Sequence, residues 1–288
     1  PRRCRRLCIL AALLVLLVLF LRQNVLLDTA SRHAILLDAK SGRVLAQKRA
    51  DERAAPASLT KMMTILLAIE AEPDLDKQVT LPEDIFPALQ IEKASMAGFA
   101  PGETVTVRDL LYGAMLPSGA ECCIALADTI SGSEADFAEL MNKKARKLGM
   151  ENTHFCDSTG LHNPDHYSTV KDIAVLMKYC IKNDTFREIV ETSRHSTGVT
   201  NIHPDGITYY STMFKNLSDP TVTGGKILGG KTGYTSEAGH CLVSFAEIEG
   251  REYIFVSAGA SGADGNTIPH IQDAVTVYNR VGAAVEAK

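Results

Sequence analysis

The sequence predicts an α/β fold in which one antiparallel sheet, flanked by helices, is joined to a mostly helical lobe. Three observations carry this expectation. Strand-like segments come in pairs at both ends of the chain body, 33–37 with 43–48 and 241–247 with 252–258. Between the pairs runs a series of amphipathic segments with helix start and stop signals. A last amphipathic segment, 270–281, follows the second pair and is suited to cover a sheet face. The 288 residues are ample for one large core or for two lobes sharing a cleft.

Taken in order, HAILL and RVLAQK flank Asp38-Ala39-Lys40-Ser41-Gly42, which reads as a β-hairpin with Gly42 supplying the turn dihedral. Residues 58–70 have helical periodicity, with Leu59, Met62, Met63, Leu66 and Leu67 on one wide apolar face. The stretch 73–105 is rich in Pro, Gly and short polar pieces and reads as surface excursions with minor strands. Thr106 opens a second helix with Asp109 at the capping-box position, and this helix ends before Pro117-Ser118-Gly119. A third helix is expected over 121–130. Ser133 and Asp136 cap a helix over 134–148 that stops at Gly149, and Thr169 and Asp172 cap another over 170–182. The 241–247 and 252–258 segments are joined through Gly250 as a second hairpin. The final helix should turn Ile271, Ala274, Val275, Tyr278 and Val281 inward. Strands at both ends of the body suggest one sheet closed by its first and last segments. The sheet part would come from about 31–55 and 225–288, the helical part from 56–224.

The chain is 45% hydrophobic and 22% charged, ordinary for a globular protein, and its formal charge is −4. A nucleic-acid-coating domain should be basic, so no nucleic acid partner is expected. The charge is unevenly spread. Arg2, Arg3, Arg5, Arg6 and Arg22 precede the first acidic residue, Asp28, and from residue 23 onward 25 basic residues face 34 acidic ones, a net −9. Leu7 to Leu21 is an uninterrupted apolar run, about 22 Å long as a helix. Basic, apolar, polar is the order of an export signal, so residues 1–30 read as a signal peptide or N-terminal membrane anchor. Asp28-Thr29-Ala30 is a poor cleavage site. The body, 31–288, is expected on the extracytoplasmic face of a membrane, or secreted after cleavage. Of seven cysteines, Cys4 and Cys8 lie in the head and Cys122, Cys123, Cys156, Cys180 and Cys241 in the body. Mostly buried free thiols are expected, with Cys156 and Cys180 as the disulfide alternatives.

Three short motifs carry chemistry. In Ser58-Leu59-Thr60-Lys61 a three-residue helical step puts hydroxyl and amine on one face. Serine is a weak nucleophile until a base sits beside it, and lysine is a base only when burial or a neighbouring cation lowers its pKa. Read alone, Ser58 is better explained as a helix N-cap. Lys231-Thr232-Gly233 sits at the start of a strand-like region, where a cation and a hydroxyl can clamp a carboxylate and Gly233 permits close backbone approach. Ser118-Gly119-Ala120 is a loop between helices whose serine could relay a proton.

In this order and spacing the three motifs resemble the signature of penicillin-binding proteins and serine β-lactamases. The segments PASLTKMMT (56–64), LLYGAMLPSGAECCIALADTI (110–130), 33–53, 152–169 and KTGYT (231–235) look like the low-molecular-mass serine D-alanyl-D-alanine carboxypeptidases, over about residues 33–281. The resemblance implies a β-lactamase/transpeptidase-like fold and cleavage of peptidoglycan stem peptides ending in D-Ala-D-Ala, with β-lactams as covalent inhibitors. Neither metal nor organic cofactor is implied. Carried over residue by residue, Ser58 is the nucleophile, Lys61 its base and Ser118 the proton relay. Lys231 and Thr232 hold the terminal carboxylate, Gly233, Tyr234 and Thr235 line the substrate strand, and the N–H groups of Ser58 and Tyr234 form the oxyanion hole. Many relatives attach to the membrane through a C-terminal amphipathic helix; here the N-terminal segment is expected to attach the protein to the bacterial cytoplasmic membrane.

The chain departs from the pattern at two places. The family's S-x-N loop has Ala120 in third position, which removes an amide that would orient the lysine and hold substrate backbone. The segment 156–158 (CDS) replaces the Asn-Pro expected before Thr159-Gly160-Leu161, a difference that reads as structural. Two other patterns carry less. GKILGGKT (225–232) fits a phosphate loop, but a strand rather than a helix is expected after it. His154, Asp157, His162, Asp165 and His166 cluster within 13 positions, without the spacing of a zinc motif. Glu151 lies in a carboxypeptidase-like context and not in the glutamate-bearing loop of a class A β-lactamase.

Overall fold

A computed structural model describes residues 27–217, 219–262 and 268–287. The basic head and apolar run on which the leader reading rests, with Cys4 and Cys8, lie outside the described residues. Among the described residues no helix is long and apolar enough to cross a membrane.

The first hairpin forms β1 (His33–Asp38) and β2 (Val44–Lys48), turning at Gly42 with φ +75°. The second forms β9 (Gly239–Ile248) and β10 (Arg251–Ala260), and β1 pairs antiparallel with β10. With β7 (Thr221–Val222) and β8 (Gly225–Thr235) they complete one six-stranded sheet of order β2-β1-β10-β9-β8-β7. Chain-distant segments therefore meet at the middle of the sheet, as the paired ends of the sequence predict.

Both sheet faces are apolar, and their alternation assigns each residue to a layer. Ile35, Leu37, Val243, Phe245, Ile254 and Val256 point toward the helical side. Leu36, Leu242, Ala246, Tyr253 and Phe255 point the other way and are covered by α9 (Pro269–Glu286) through Ile271, Ala274, Val277, Tyr278 and Val281. Val275 of the expected inward set is only partly buried. Asp273 on α9 accepts from the N–H groups of Ala30 and Ser31 (2.8 and 2.9 Å), which ties the start of the described chain to its last helix.

The helical side holds α1 (Lys61–Ala71), α2 (Ile85–Ile91), α3 (Val107–Met115), α4 (Ala120–Ser131), α5 (Glu134–Leu148), α6 (Val170–Cys180), α7 (Asp184–Glu191) and α8 (Thr212–Asn216). The caps act as read: Thr106 and Asp109 form a full capping box, and Ser133 and Thr169 each accept from the backbone N–H three residues on. Two small sheets, β3 (Gln78–Thr80) with β4 (Thr104–Thr106) and β5 (Arg194–Ser196) with β6 (Thr208–Tyr210), stand beside the helices. The excursion 73–105 thus contains a helix, α2, that the sequence reading did not expect. Pro87 lies inside it, and the helix owes its place to Phe86 and Leu89 packing under it. The five described cysteines are free; four are buried and Cys156 is half-buried. Burial pushes the Cys241 thiol up to about 12.

One buried group makes stability pH-dependent. His270 on α9 stacks on His240 (ring centroids 5.0 Å apart), which in turn lies against Tyr234 (4.7 Å), and its Nδ1 has no partner. Burial, helped by His240, lowers the His270 pKa to about 4, against about 6.5 in the unfolded chain. The unfolded chain therefore takes up the proton first as pH falls. The neutral imidazole favours the fold fully above pH 6.5 and progressively less down to pH 4. Urea unfolding should show about 2 kcal/mol of this loss between pH 7.5 and pH 5. His270→Phe should remove that part of the slope; an unchanged slope would exclude the assignment.

Candidate active site

The nucleophile segment begins with a strained turn. Ala57 has φ +47°, and Ser58 sits inside a 3-10 turn, Ala57–Thr60, that leads into α1 at Lys61. Ser58 is therefore not a helix N-cap, and its hydroxyl is left for another role. A non-glycine residue at positive φ costs about 1–3 kcal/mol and persists only where its surroundings enforce it. Lys61 is 3% exposed, and its Nζ donates to Ser58 Oγ at 3.0 Å and to the Thr159 carbonyl at 2.6 Å. Burial lowers its pKa, opposed by the facing Cys123, Asp157 and Glu121. A neutral amine keeps two N–H bonds and one lone pair. With one N–H fixed on Thr159, the lone pair can face the Ser58 proton.

The second motif lies in the C-terminal half of β8, a strand that already begins at Gly225, rather than at the start of a strand. The same strand absorbs the phosphate-loop pattern, and β9 follows it instead of a helix. Lys231 is 1% exposed, and its Nζ donates to the Thr232 carbonyl at 2.9 Å. Among the described residues no carboxylate pairs with it. Burial, and then the charge of Lys61, holds its pKa well below the ordinary lysine range. Gly233 is where β8 meets the nucleophile turn: a Cβ there would stand 3.0 Å from Ser58 N and 3.2 Å from Ala57 Cβ. Tyr234 is exposed beside His240. Thr235 Oγ1 accepts from Ala238 N, so this hydroxyl is engaged in the β8–β9 turn.

Ser118 lies between α3 and α4 with φ +69°, and its Oγ is buried without a hydrogen-bond partner. The α4 helix that follows carries Cys123, whose thiol feels both Lys61 and Lys231 while burial raises it to about 12. Ala120 is buried at the start of α4, and its N–H donates to the Ser95 carbonyl at 2.8 Å. Glu121 is fully buried and holds the N–H groups of Ala97 and Gly98 at 2.6 and 2.9 Å. Burial raises its pKa.

Several residues here carry no recognisable sequence signal. Thr212, at the start of α8, places its Oγ1 2.7 Å from Thr232 Oγ1. Thr159 supplies only a carbonyl. The histidine–aspartate cluster divides among separate partners: His154 Nδ1 meets the Asp165 carbonyl, His162 lies 3.8 Å from Glu237, and His166 pairs with Asp157 at 3.1 Å. Glu151 is exposed in the turn after α5.

The D-alanyl-D-alanine carboxypeptidase family profile matches residues 21–262. The chain is 36% identical over 235 residues to D-alanyl-D-alanine carboxypeptidase DacF of Bacillus subtilis, covering 80% of this chain and 58% of that protein. It is also 36% identical to the D-alanyl-D-alanine carboxypeptidase of Streptomyces sp. K15, covering 74% of this chain and 75% of that one. The chain thus spans little more than half the length of the Bacillus relative. The crystal structure of the Streptomyces K15 DD-transpeptidase superposes with a TM-score of 0.78 at 30% identity, over 89% of this chain and 98% of that one. Its curled antiparallel sheet between helices is the penicillin-binding, serine β-lactamase-like fold. By the extent of this match the chain belongs to the D-alanyl-D-alanine carboxypeptidase family.

Proposed function

We propose that the protein is a serine-type D-alanyl-D-alanine carboxypeptidase. It would remove the terminal D-alanine from peptidoglycan stem pentapeptides through an acyl-enzyme on Ser58. The observation that carries this reading is the buried Lys61 amine 3.0 Å from Ser58 Oγ, with its pKa pushed down by burial.

In this mechanism Lys61 takes the Ser58 proton as Oγ bonds to the carbonyl carbon of the penultimate D-alanine. The N–H groups of Ser58 and Tyr234 hold the oxyanion. The carbon–nitrogen bond breaks, and the proton passes through Ser118 to the leaving amine. Lys231, buried with no carboxylate paired to it among the described residues, and Thr232 receive the terminal carboxylate; Gly233 lets β8 approach the nucleophile. Water then cleaves the ester. A β-lactam acylates the same serine and leaves slowly. The body acts on the extracytoplasmic side of the bacterial cytoplasmic membrane, held there or released according to the fate of residues 1–30.

The test is the intact mass of the chain after exposure to benzylpenicillin. A gain of one penicillin that Ser58→Ala loses, together with D-alanine release from a pentapeptide, is the expected result. No adduct and no release would overturn the reading. That outcome would favour a binding or regulatory relative, for which Ala120 is the specific observation: its buried methyl offers no amide to Lys61 or to substrate.

Thr212 provides a finer check. The Thr212 and Thr232 hydroxyls lie 2.7 Å apart and either can donate; with Thr212 as the donor, the Thr232 proton is free for the substrate carboxylate. Thr212→Val keeps the shape and deletes one hydrogen bond, about 1 kcal/mol. KM for the pentapeptide should rise about fivefold with kcat within twofold. A fall in kcat alone would contradict this role.

A further inference from the structure

The wall opposite the nucleophile helix is organised by one carboxylate. Asp157 Oδ1 accepts from Thr159 N (2.7 Å), Thr159 Oγ1 (2.8 Å) and Gly160 N (2.6 Å). These bonds form a tight turn that Gly160 completes at φ +81°. The turn delivers the Thr159 carbonyl to Lys61 Nζ. Asp157 Oδ2 lies 3.1 Å from Nδ1 of the buried His166, and His166 Nε2 lies 2.9 Å from Oγ1 of Thr60, the residue before Lys61. One side chain thus reaches the base by two routes, through the turn to the amine and through an imidazole to the helix that carries it. This is where Asp157-Ser158 replaces the Asn-Pro of the family pattern. An asparagine could accept the same turn bonds but would bring no charge.

We propose that Asp157 is a positioning residue for Lys61, which orients the amine over Ser58 and whose negative charge raises the pH at which that amine becomes a base. The inference rests on the reading of Lys61 as base. Burial works against ionising Asp157, but the hydrogen bond and charge of His166 and the turn donors prevail and hold its carboxyl at about 2. It is therefore an anion throughout the working range. Charges and titratable groups reach Lys61 from three sides: Asp157 from this turn, Glu121 with Cys122 and Cys123 from α4, and Lys231 from β8. Around Asp157 itself stand His166 and Cys156, the latter also facing Asp165, and Glu134 of α5 holds the adjacent Ser158. Asp157 favours the ammonium form of Lys61 and so partly offsets the effect of burial. Without its charge, Lys61 should lose its proton at lower pH.

The test is the second-order rate of acylation by benzylpenicillin, followed by intact mass from pH 5 to pH 10, on the full chain in detergent. The acidic limb of the Asp157→Asn profile should move to lower pH by about half a unit to one unit, with a plateau about threefold below the parent. Asp157→Ala, which also loses the turn acceptor, should fall about thirtyfold at its plateau. Because the fold weakens as pH falls, partial unfolding of a destabilised variant would move the acidic limb to higher pH, so it cannot imitate a shift to lower pH. An Asp157→Asn limb superposed on the parent, or an Asp157→Ala plateau within twofold of it, would overturn the proposal. Failure of the underlying reading looks different: Lys61→Ala would then keep both the rate and the limb of the parent.

Discussion

Replacing Lys61 by alanine should cut the acylation rate of Ser58 by 10²- to 10⁴-fold, the usual worth of a positioned general base. The lysine lies almost wholly within the protein, and its Nζ has two oxygen partners, one of them the nucleophile. Its loss removes the proton acceptor and leaves the Thr159 carbonyl without its donor. Lys61→Arg should be nearly as inactive, because guanidinium stays protonated at every working pH and cannot serve as the base. The readout is the rate of adduct formation with benzylpenicillin, with thermal unfolding measured alongside. An alanine variant that acylates within tenfold of the parent would remove Lys61 from the mechanism.

The second large effect is expected at Gly160, which sequence inspection passes over. A Cβ there would stand 1.9 Å from the Ala57 carbonyl oxygen and 2.8 Å from Thr60 Oγ1. The first obstacle is backbone, so the side chain cannot be accommodated by a rotamer change. Either the nucleophile turn or the Thr159 turn has to move, and the Ser58–Lys61–Thr159 geometry depends on both. Gly160→Ala should lower stability by about 3 kcal/mol, from overpacking combined with left-handed strain. Acylation of the folded fraction should fall at least about 10²-fold, as misplacement of a reacting group by about 1 Å can cost. Gly132→Ala is the control. Its φ is +80°, yet nothing lies within 4 Å of the added methyl, so it pays the strain alone. It should cost about 1–2 kcal/mol and leave acylation unchanged. Equal effects of the two substitutions on acylation would show that contact with the nucleophile turn is irrelevant.

These two residues show where reading the chain stops. Ser58 and Lys61 could be paired from their spacing, because a helical step has fixed geometry. The caps at Thr106, Ser133 and Thr169 were legible for the same reason, since a side chain three residues from its backbone partner is a local matter. The hairpins were legible from alternation and from glycines placed where positive φ is needed. By contrast, α2 was missed because its proline and flanking polar residues argue against a helix, and burial of Phe86 and Leu89 outweighs them. β8 was read short because its first half, Gly225 to Gly230, has glycines where strand formers are expected; all three of them face backbone too close for any side chain.

The sequence by itself determined the hairpins, the capped helices, the pairing of the chain ends in one sheet, the Ser58–Lys61 step and the family. Each of these rests on local periodicity or on a motif. Only the tertiary structure decided the rest. It brings Thr159 to Lys61 across 98 positions, His166 to Thr60 across 106 and Thr212 to Thr232 across 20. It also leaves no room for a side chain at Gly160 and places Asp157 in the turn that presents the Thr159 carbonyl to Lys61. Such contacts arise where separate elements pack, and the groups that make them, a carbonyl, a missing Cβ or a single hydroxyl, leave no periodic trace in the chain.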